Sequence, residues 1–179
     1  KVQGFRSRSA FKLIEMNEKF NFLKKNTLLL DLGSSPGGWS QVASKKINNG
    51  KILSVDIKDM EMINKVSFVK GNFLEKEIIE KIINYFNCKI DVVLSDMASN
   101  TTGNKNLDSF RTGELCLDAM KLSINLLSKE GIFLSKIFMG SIFKEINLKA
   151  NKCFKKVVVY KPNSSKKENV QKHAFLELA

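Results

Sequence analysis

LLLDLGSSPGGWSQV, residues 28–42, carries the strongest structural signal in this chain of 179 residues. Its first five residues predict a strand that is buried on both faces within a parallel sheet. Gly, Ser and Pro at positions 33–38 predict a tight turn, and a helix is predicted to follow from Trp39 to Lys46. A strand, a glycine-rich turn and a helix in this order are typical of a nucleotide-binding βαβ unit, in which bare glycine backbone lies against the ligand.

The same turn discriminates between cofactors. A dinucleotide fingerprint G-x-G-x-x-G that begins at Gly33 requires glycine at positions 33, 35 and 38. Gly33 and Gly38 fit, whereas Ser35 and Pro36 occupy the place where backbone must approach a pyrophosphate. NAD and FAD are therefore disfavoured, and with them an NAD-dependent oxidoreductase. A nucleoside cofactor without a phosphate chain fits better, and S-adenosylmethionine is the leading candidate.

Composition limits the class of protein and of partner. Hydrophobic residues at 43% and charged residues at 27% are typical of a globular protein, and we expect residues 1–179 to form a single domain. Thirty Lys and Arg against 18 Asp and Glu leave a net charge of +12, which favours a polyanionic partner, nucleic acid before a membrane. A general bias toward Lys, Asn and Ile is the alternative explanation of this charge.

Metal and membrane chemistry have little support in the sequence. Three widely spaced cysteines and one histidine provide neither the spacing of a metal site nor a histidine-dependent triad, so we expect no metal. No apolar run reaches the roughly 20 residues that span a bilayer, so we expect no membrane partner. The expected state is a cytoplasmic monomer, with a mitochondrion or another organelle as the alternative if a targeting segment precedes Lys1.

Strands and helices alternate along the rest of the chain. Further strands are predicted at 51–56, 66–70, 90–95, 131–136, 155–160 and 172–179, and helices from about Ser9 and at 75–86, 114–127 and 141–150. Residues 99–109 are predicted to form a polar loop. This alternation predicts an α/β fold with a mostly parallel, seven-stranded sheet, helices on both faces, and the ligand beyond the carboxyl ends of the strands.

Four polar residues follow predicted strands and are therefore candidate site residues. Asp56 can accept hydrogen bonds from ribose hydroxyls, and Asn72 can pair with the edge of an adenine. A turn or capping role is the alternative for both. Asp96 and Lys136 each end a buried strand, where a charge is costly unless it is paired or used. They can meet if their strands are neighbours, either as reactive groups or as an ion pair that closes the edge of the sheet.

Four segments together resemble the FtsJ/RrmJ family of RlmE-type ribosomal RNA 2'-O-ribose methyltransferases: SRSAFKL (7–13), DLGSSPGGWSQ (31–41), LSDMASN (94–100) and SKIF (135–138). Their order and spacing are kept from about Phe5 to Ser165. The resemblance implies a Rossmann-like S-adenosylmethionine-dependent methyltransferase fold. It also implies 2'-O-methylation of a ribosomal RNA, expected to be a uridine in the large subunit or its precursor.

The resemblance also assigns residues. It implies a Lys-Asp-Lys-Glu constellation in which Lys12, Asp96 and Lys136 match the first three members, with Lys136 drawing the proton from the 2'-hydroxyl. The cofactor-binding residues expected from it are Gly33, Ser35, Pro36, Gly37, Gly38, Trp39, Asp56, Ile57, Asn72, Phe73 and Asp96, although the family usually has aspartate where Asn72 stands. RNA contacts are expected from a basic N-terminal arm and helix, residues 1–22, and from Arg6, Arg8, Lys12, Lys105 and Arg111.

The fourth member of the constellation departs from the family. Counted without gaps, the glutamate position falls on Gln171 and a following tyrosine position falls on His173. Glu168 lies three residues before Gln171, and an odd offset points to the opposite face of an extended strand. Two functions follow: an active methyltransferase with a neutral fourth residue, or a catalytically impaired RNA-binding factor in ribosome assembly.

Overall fold

The structure is a computed structural model that describes residues 4–100, 102–165 and 171–179. These residues form five helices and seven strands, in the order α1 (Ser9–Phe20), β1 (Leu28–Leu32), α2 (Gly38–Lys46), β2 (Lys51–Asp56), β3 (Val66–Lys70), α3 (Lys76–Phe86), β4 (Ile90–Ser95), α4 (Lys105–Leu126), β5 (Leu127–Phe138), α5 (Phe143–Cys153), β6 (Phe154–Tyr160) and β7 (Gln171–Leu178). The predicted elements are confirmed, apart from differences at their ends.

The strands form one sheet in the order β3-β2-β1-β4-β5-β7-β6. All neighbouring strands are parallel except β7, which runs antiparallel to both β5 and β6. The chain therefore leaves β1 in one direction through β2 and β3, and returns to the other side of β1 with β4. Such a reversal opens a crevice at the carboxyl ends of β1 and β4, which is where open α/β sheets bind their ligands. The predicted fold class is confirmed.

Helices cover both faces of this sheet. Apolar residues of α1 and α2, such as Leu13 and Val42, pack with Leu29 of β1 in one core cluster. Apolar residues of α3, α4 and α5 pack with Leu30 of β1 in the other, together with buried side chains such as Phe133 of β5. Adjacent residues of a strand point to opposite faces of the sheet, so LLLDL contributes side chains to both cores. This explains why every residue of the strand except Asp31 is apolar.

The predicted loop at residues 99–109 is wrong in its second half, because α4 begins at Lys105. The side chain of Asn104 accepts hydrogen bonds from the backbone N–H groups of Asn106 and Leu107, which caps the helix. The first turns are polar, so no apolar period marked them as helical. Arg111, which lies between the predicted loop and the predicted helix, is therefore part of α4.

Candidate active site

The glycine-rich turn forms a common wall of two adjoining cavities. The larger, of about 320 Å³, lies between the ends of β1, β2 and β4 and falls in the range of small-molecule sites. The smaller, of about 210 Å³, lies toward the N-terminal segment and is lined by Ser7 and Ser9. Gly33, Ser35 and Asp96 line both. One elongated ligand can therefore occupy the two cavities together.

Glycine is required in this turn because neighbouring groups approach its backbone closely. Gly33 has a φ of +71°, and a Cβ atom there would lie 2.1 Å from the Cγ atom of Met97. Gly37 has a φ of +105°, which L side chains rarely adopt. At Gly38 a Cβ would lie 2.0 Å from the hydroxyl oxygen of Ser7, so the N-terminal segment packs directly against the start of α2.

Two of the predicted ribose and base contacts lie in the larger cavity. The carboxylate of Asp56 accepts hydrogen bonds from the backbone N–H groups of Ser35 and Lys58, both at 2.8 Å, which hold it at the end of β2. The side-chain oxygen of Asn72 accepts a hydrogen bond from the Leu74 N–H at 3.1 Å. These oxygens retain further lone pairs. Asp56 can therefore still accept from ribose hydroxyls, and Asn72 from an exocyclic amine.

Apolar side chains line another part of the larger cavity. Ile57 and Phe73, both predicted, line it, and Ile57 is 65% exposed in the described structure. Leu74, Met97 and Leu115 also line it and were missed. Met97 and Leu115 come from separate elements, so only the folded chain brings them beside Phe73. Apolar side chains next to a fixed carboxylate suit the two halves of a nucleoside. The residues therefore fit the adenosyl part of S-adenosylmethionine.

Asp96, which lines both cavities, contacts Lys136, which lines neither. Their strands, β4 and β5, are neighbours and pair Ser95 with Ser135. The Lys136 Nζ atom donates to the Asp96 backbone oxygen at 2.5 Å and lies 3.2 Å from its carboxylate oxygen. The side chains are only 10% and 19% exposed. The ion pair predicted from the positions of these two residues at strand ends is therefore present. The backbone oxygen and the carboxylate of Asp96 both hold the Lys136 amine.

Lys12 and Gln171 complete the cluster. The Lys12 Nζ atom donates to the Gln171 side-chain oxygen at 3.1 Å, although 159 residues separate the two in sequence. Burial lowers the pKa of Lys12; the charge of Asp96 opposes this shift and that of Lys136 adds to it. The structure thus brings together all four predicted catalytic positions, with a neutral amide at the fourth. Glu168, the other candidate, lies outside the described residues.

Two further buried groups border this cluster and were not predicted. His173 pairs with Lys136 across β5 and β7, is fully buried, and its ring nitrogens have no hydrogen-bond partner among the described residues. Burial lowers its pKa to about 4, so the ring is neutral near pH 7. Asp31 accepts a hydrogen bond from the Ser40 hydroxyl at 2.6 Å, and burial raises its pKa to about 7.

Comparisons with known proteins agree with this geometry. Residues 5–176 match the family model described as FtsJ-like methyltransferase. This chain belongs to the FtsJ-like methyltransferase family. Ribosomal RNA large subunit methyltransferase E of Pelagibacter ubique (strain HTCC1062) is 50% identical over 175 residues, which cover 98% of this chain and 85% of that protein. The protein of the same name from Rickettsia akari (strain Hartford) is 44% identical over 177 residues, which cover 96% of this chain and 78% of that protein.

Solved structures agree as well. The crystal structure of a Plasmodium falciparum protein assigned as a ribosomal RNA methyltransferase superposes with a TM-score of 0.85 at 30% identity, covering 97% of this chain and 98% of that one. Human Methyltransferase-like protein 13 in complex with SAH superposes with a TM-score of 0.63 at 16% identity, covering 95% and 79%, which shows the fold alone. FtsJ-like methyltransferases use S-adenosylmethionine, which is therefore the cofactor of this chain.

Trp39 and Arg6 make hydrogen bonds within this FtsJ-like methyltransferase that the sequence did not predict. Trp39 lines the smaller cavity, but it is 2% exposed and its indole N–H donates to the backbone oxygen of Ser9. Arg6, expected to contact RNA, instead donates to the backbone oxygens of Pro36, Glu61 and Met62 at 3.3, 2.6 and 2.8 Å. We therefore expect Arg6 to support the turn rather than to contact RNA.

The remaining basic residues predicted to contact RNA lie on the surface. Arg8, Lys105 and Arg111 are exposed, and Lys12 is half-buried in the cluster. No helix in the described part of the FtsJ-like methyltransferase is long and apolar enough to cross a membrane. Within the same residues, no group of three or more His, Cys, Asp or Glu side chains is placed to hold a metal ion. A further cavity of about 490 Å³, at the amino ends of the strands, is lined by none of the predicted site residues.

Proposed function

We propose that this chain transfers a methyl group from S-adenosylmethionine to the 2'-hydroxyl of a uridine in large-subunit ribosomal RNA. The observation that carries the proposal is the Lys136–Asp96 pair, 3.2 Å apart at the edge of the cofactor cavities. The net charge of +12 supports a nucleic acid as substrate. The names of the relatives from Pelagibacter ubique and Rickettsia akari support ribosomal RNA of the large subunit.

The side chains of the cluster have separate tasks in this reaction. S-adenosylmethionine supplies a methyl group that is already activated by its sulfonium, so the protein has to align the reactants and remove one proton. Lys136 takes the proton of the 2'-hydroxyl while the ribose oxygen bonds to the methyl carbon and the bond between that carbon and the sulfonium sulfur breaks, so that the thioether leaves. Asp96 holds the Lys136 nitrogen through its backbone oxygen and its carboxylate. Lys12 and Gln171 lie on the side of the cluster where the RNA ribose binds. Because the Gln171 amide is neutral, the Lys12 amine leaves this side positively charged.

A second function is favoured by one observation only, the amide of Gln171 in contact with Lys12. With no carboxylate at this position, the described cluster has two lysines and one aspartate, and a cationic cofactor adds a further positive charge. If this charge prevents productive binding of the cofactor, the chain would act as an RNA-binding factor in ribosome assembly. Methyl transfer by the wild-type protein separates the two functions.

The test is transfer of labelled methyl groups to unmethylated large-subunit RNA, offered both protein-free and as assembled subunits, followed by mapping of the modified ribose. Lys136→Arg keeps a positive charge but cannot release its proton near pH 7, and Lys136→Met removes both charge and proton. We expect each to lower turnover by about 10²- to 10⁴-fold. Lys149→Met is the matched control, because Lys149 pairs with Glu145 on the surface of α5. Unchanged turnover in Lys136→Arg would refute the proposed role of Lys136.

A further inference from the structure

Apolar side chains are exposed beside the active site, on α4 and just after β5. Leu107 and Phe110 are 38% and 43% exposed, and Met139 is 38% exposed. Phe110 and the exposed Arg111 lie three and four residues after Leu107 on α4, so each of them neighbours Leu107 on the surface of the helix. Met139 lies close to them, because a Cβ atom at the next residue, Gly140, would lie 2.3 Å from the hydroxyl of Ser109. We call Leu107, Phe110, Arg111 and Met139 the α4 patch.

The α4 patch is connected to both strands that carry the catalytic pair. Met139 follows Lys136 by three residues in sequence, and extended chain of this length spans about 10 Å. On the other side, several hydrogen bonds join the segment after Asp96 to α4. The Ser99 N–H donates to the Thr112 hydroxyl at 3.2 Å, and the Thr102 N–H donates to the Asp108 carboxylate at 2.8 Å. A nucleotide next to the target ribose can therefore reach the patch.

We propose that the α4 patch binds an unpaired base of the RNA substrate next to the methylated nucleotide. Phe110 stacks on the base, Leu107 and Met139 border it, and Arg111 holds an adjoining phosphate. This inference rests on the proposed function, since it identifies the form of RNA that the same site accepts: a single-stranded segment or a loop, not a continuous duplex.

Chemistry and charge favour RNA over a protein as the occupant. Single exposed apolar side chains are ordinary, whereas exposed apolar side chains that lie together are characteristic of binding surfaces. Aromatic side chains stack on unpaired bases, whereas the bases of a duplex are covered by their neighbours. Arg111 within the patch and the net charge of +12 provide the attraction to phosphate that such stacking requires.

The test measures RNA binding and methyl transfer separately. Phe110→Ala, Phe110→Trp and the control Leu148→Ala, which truncates a 56% exposed leucine on α5, are titrated against labelled protein-free RNA. We expect Phe110→Ala to raise both the dissociation constant and the KM for single-stranded RNA by about 5- to 100-fold. We expect the KM for S-adenosylmethionine, and kcat at saturating RNA, to stay unchanged. Phe110→Trp restores binding, Leu148→Ala has no effect, and duplex RNA is insensitive to all three variants.

Three results would overturn this assignment. The first is unchanged affinity of Phe110→Ala for single-stranded RNA. The second is an equal loss of affinity for duplex RNA, which would show that the base does not have to be unpaired. The third is a loss that occurs only with assembled large subunits, which would assign the α4 patch to a protein. If the wild type methylates no RNA while Phe110→Ala still weakens binding, the proposed function fails and the patch assignment holds.

Discussion

Replacing Arg6 by glutamine is expected to weaken the binding of S-adenosylmethionine rather than that of RNA. The guanidinium joins the turn at Pro36 to the segment that follows β2, through the backbone oxygens of Glu61 and Met62. Its side chain is only 16% exposed. Because a Cβ atom at Gly37 would lie 3.1 Å from the same guanidinium, Arg6 packs directly on the turn whose neighbouring residues Pro36 and Gly38 line the smaller cavity.

The size of the effect follows from the two shorter hydrogen bonds, at 2.6 and 2.8 Å. A typical intramolecular hydrogen bond contributes about 1 kcal/mol net, so the two together are worth about 2 kcal/mol. If the turn loses this support, the dissociation constant for S-adenosylmethionine rises by about 5- to 30-fold. The glutamine of the variant keeps one short polar group but cannot reach both segments at once.

The assay is calorimetric titration of S-adenosylmethionine into the wild type, Arg6→Gln and Arg8→Gln. Arg8 is exposed and only two residues away, so it is the matched control for loss of charge. We expect Arg8→Gln to bind the cofactor normally and to lower the dependence of RNA binding on log salt concentration by about one unit. Normal cofactor binding by Arg6→Gln, together with this lower salt dependence of its RNA binding, would refute the structural role of Arg6.

Three further variants test other parts of the site. Gln171→Glu places a carboxylate against the Lys12 amine, so it should raise the pKa of Lys12 and lower the KM for S-adenosylmethionine several-fold; a higher KM would contradict this. The pKa of His173 is about 4 in the folded chain against an ordinary 6.5, so the unfolded chain binds the extra proton and stability falls as pH falls through this interval. As the pH falls from 6.5 to 4, the free energy of unfolding of His173→Phe should therefore rise relative to that of the wild type by about 1.4 kcal/mol per pH unit. Urea unfolding at several pH values measures this difference. Gly38→Ala should cost about 1–3 kcal/mol through its contact with the Ser7 hydroxyl, and Ser7→Ala in the same chain should recover part of the loss.

Most of the fold was predictable because its signals are local. A buried strand such as LLLDL and the apolar stripe of α3 are periodic in sequence, and periodicity is set by backbone geometry. The start of α4 was not predictable in this way. Its first turns are held by the Asn104 cap and by contacts to Ser99 and Thr102 and have no continuous apolar face.

Asp56, Asp96 and Lys136 were predictable for a topological reason. The carboxyl ends of parallel strands meet at one edge, so polar residues just after buried strands were expected to come together there. Arg6 could not be assigned in the same way, since its charge is visible in the sequence but its three acceptors lie 30 to 56 residues away. A positive charge alone does not distinguish an RNA contact from a structural clamp.

The glycine-rich turn at residues 33–38 therefore determined by itself that a nucleoside cofactor lies over a parallel sheet, because backbone conformation and the missing middle glycine are properties of a few adjacent residues. The partners of the charged groups depended on the tertiary structure. Lys12 meets Gln171 across 159 residues, and His173 is neutral because the folded chain buries it beside Lys136. Burial and long-range contacts arise only when distant segments pack together, so no local pattern in the sequence encodes them.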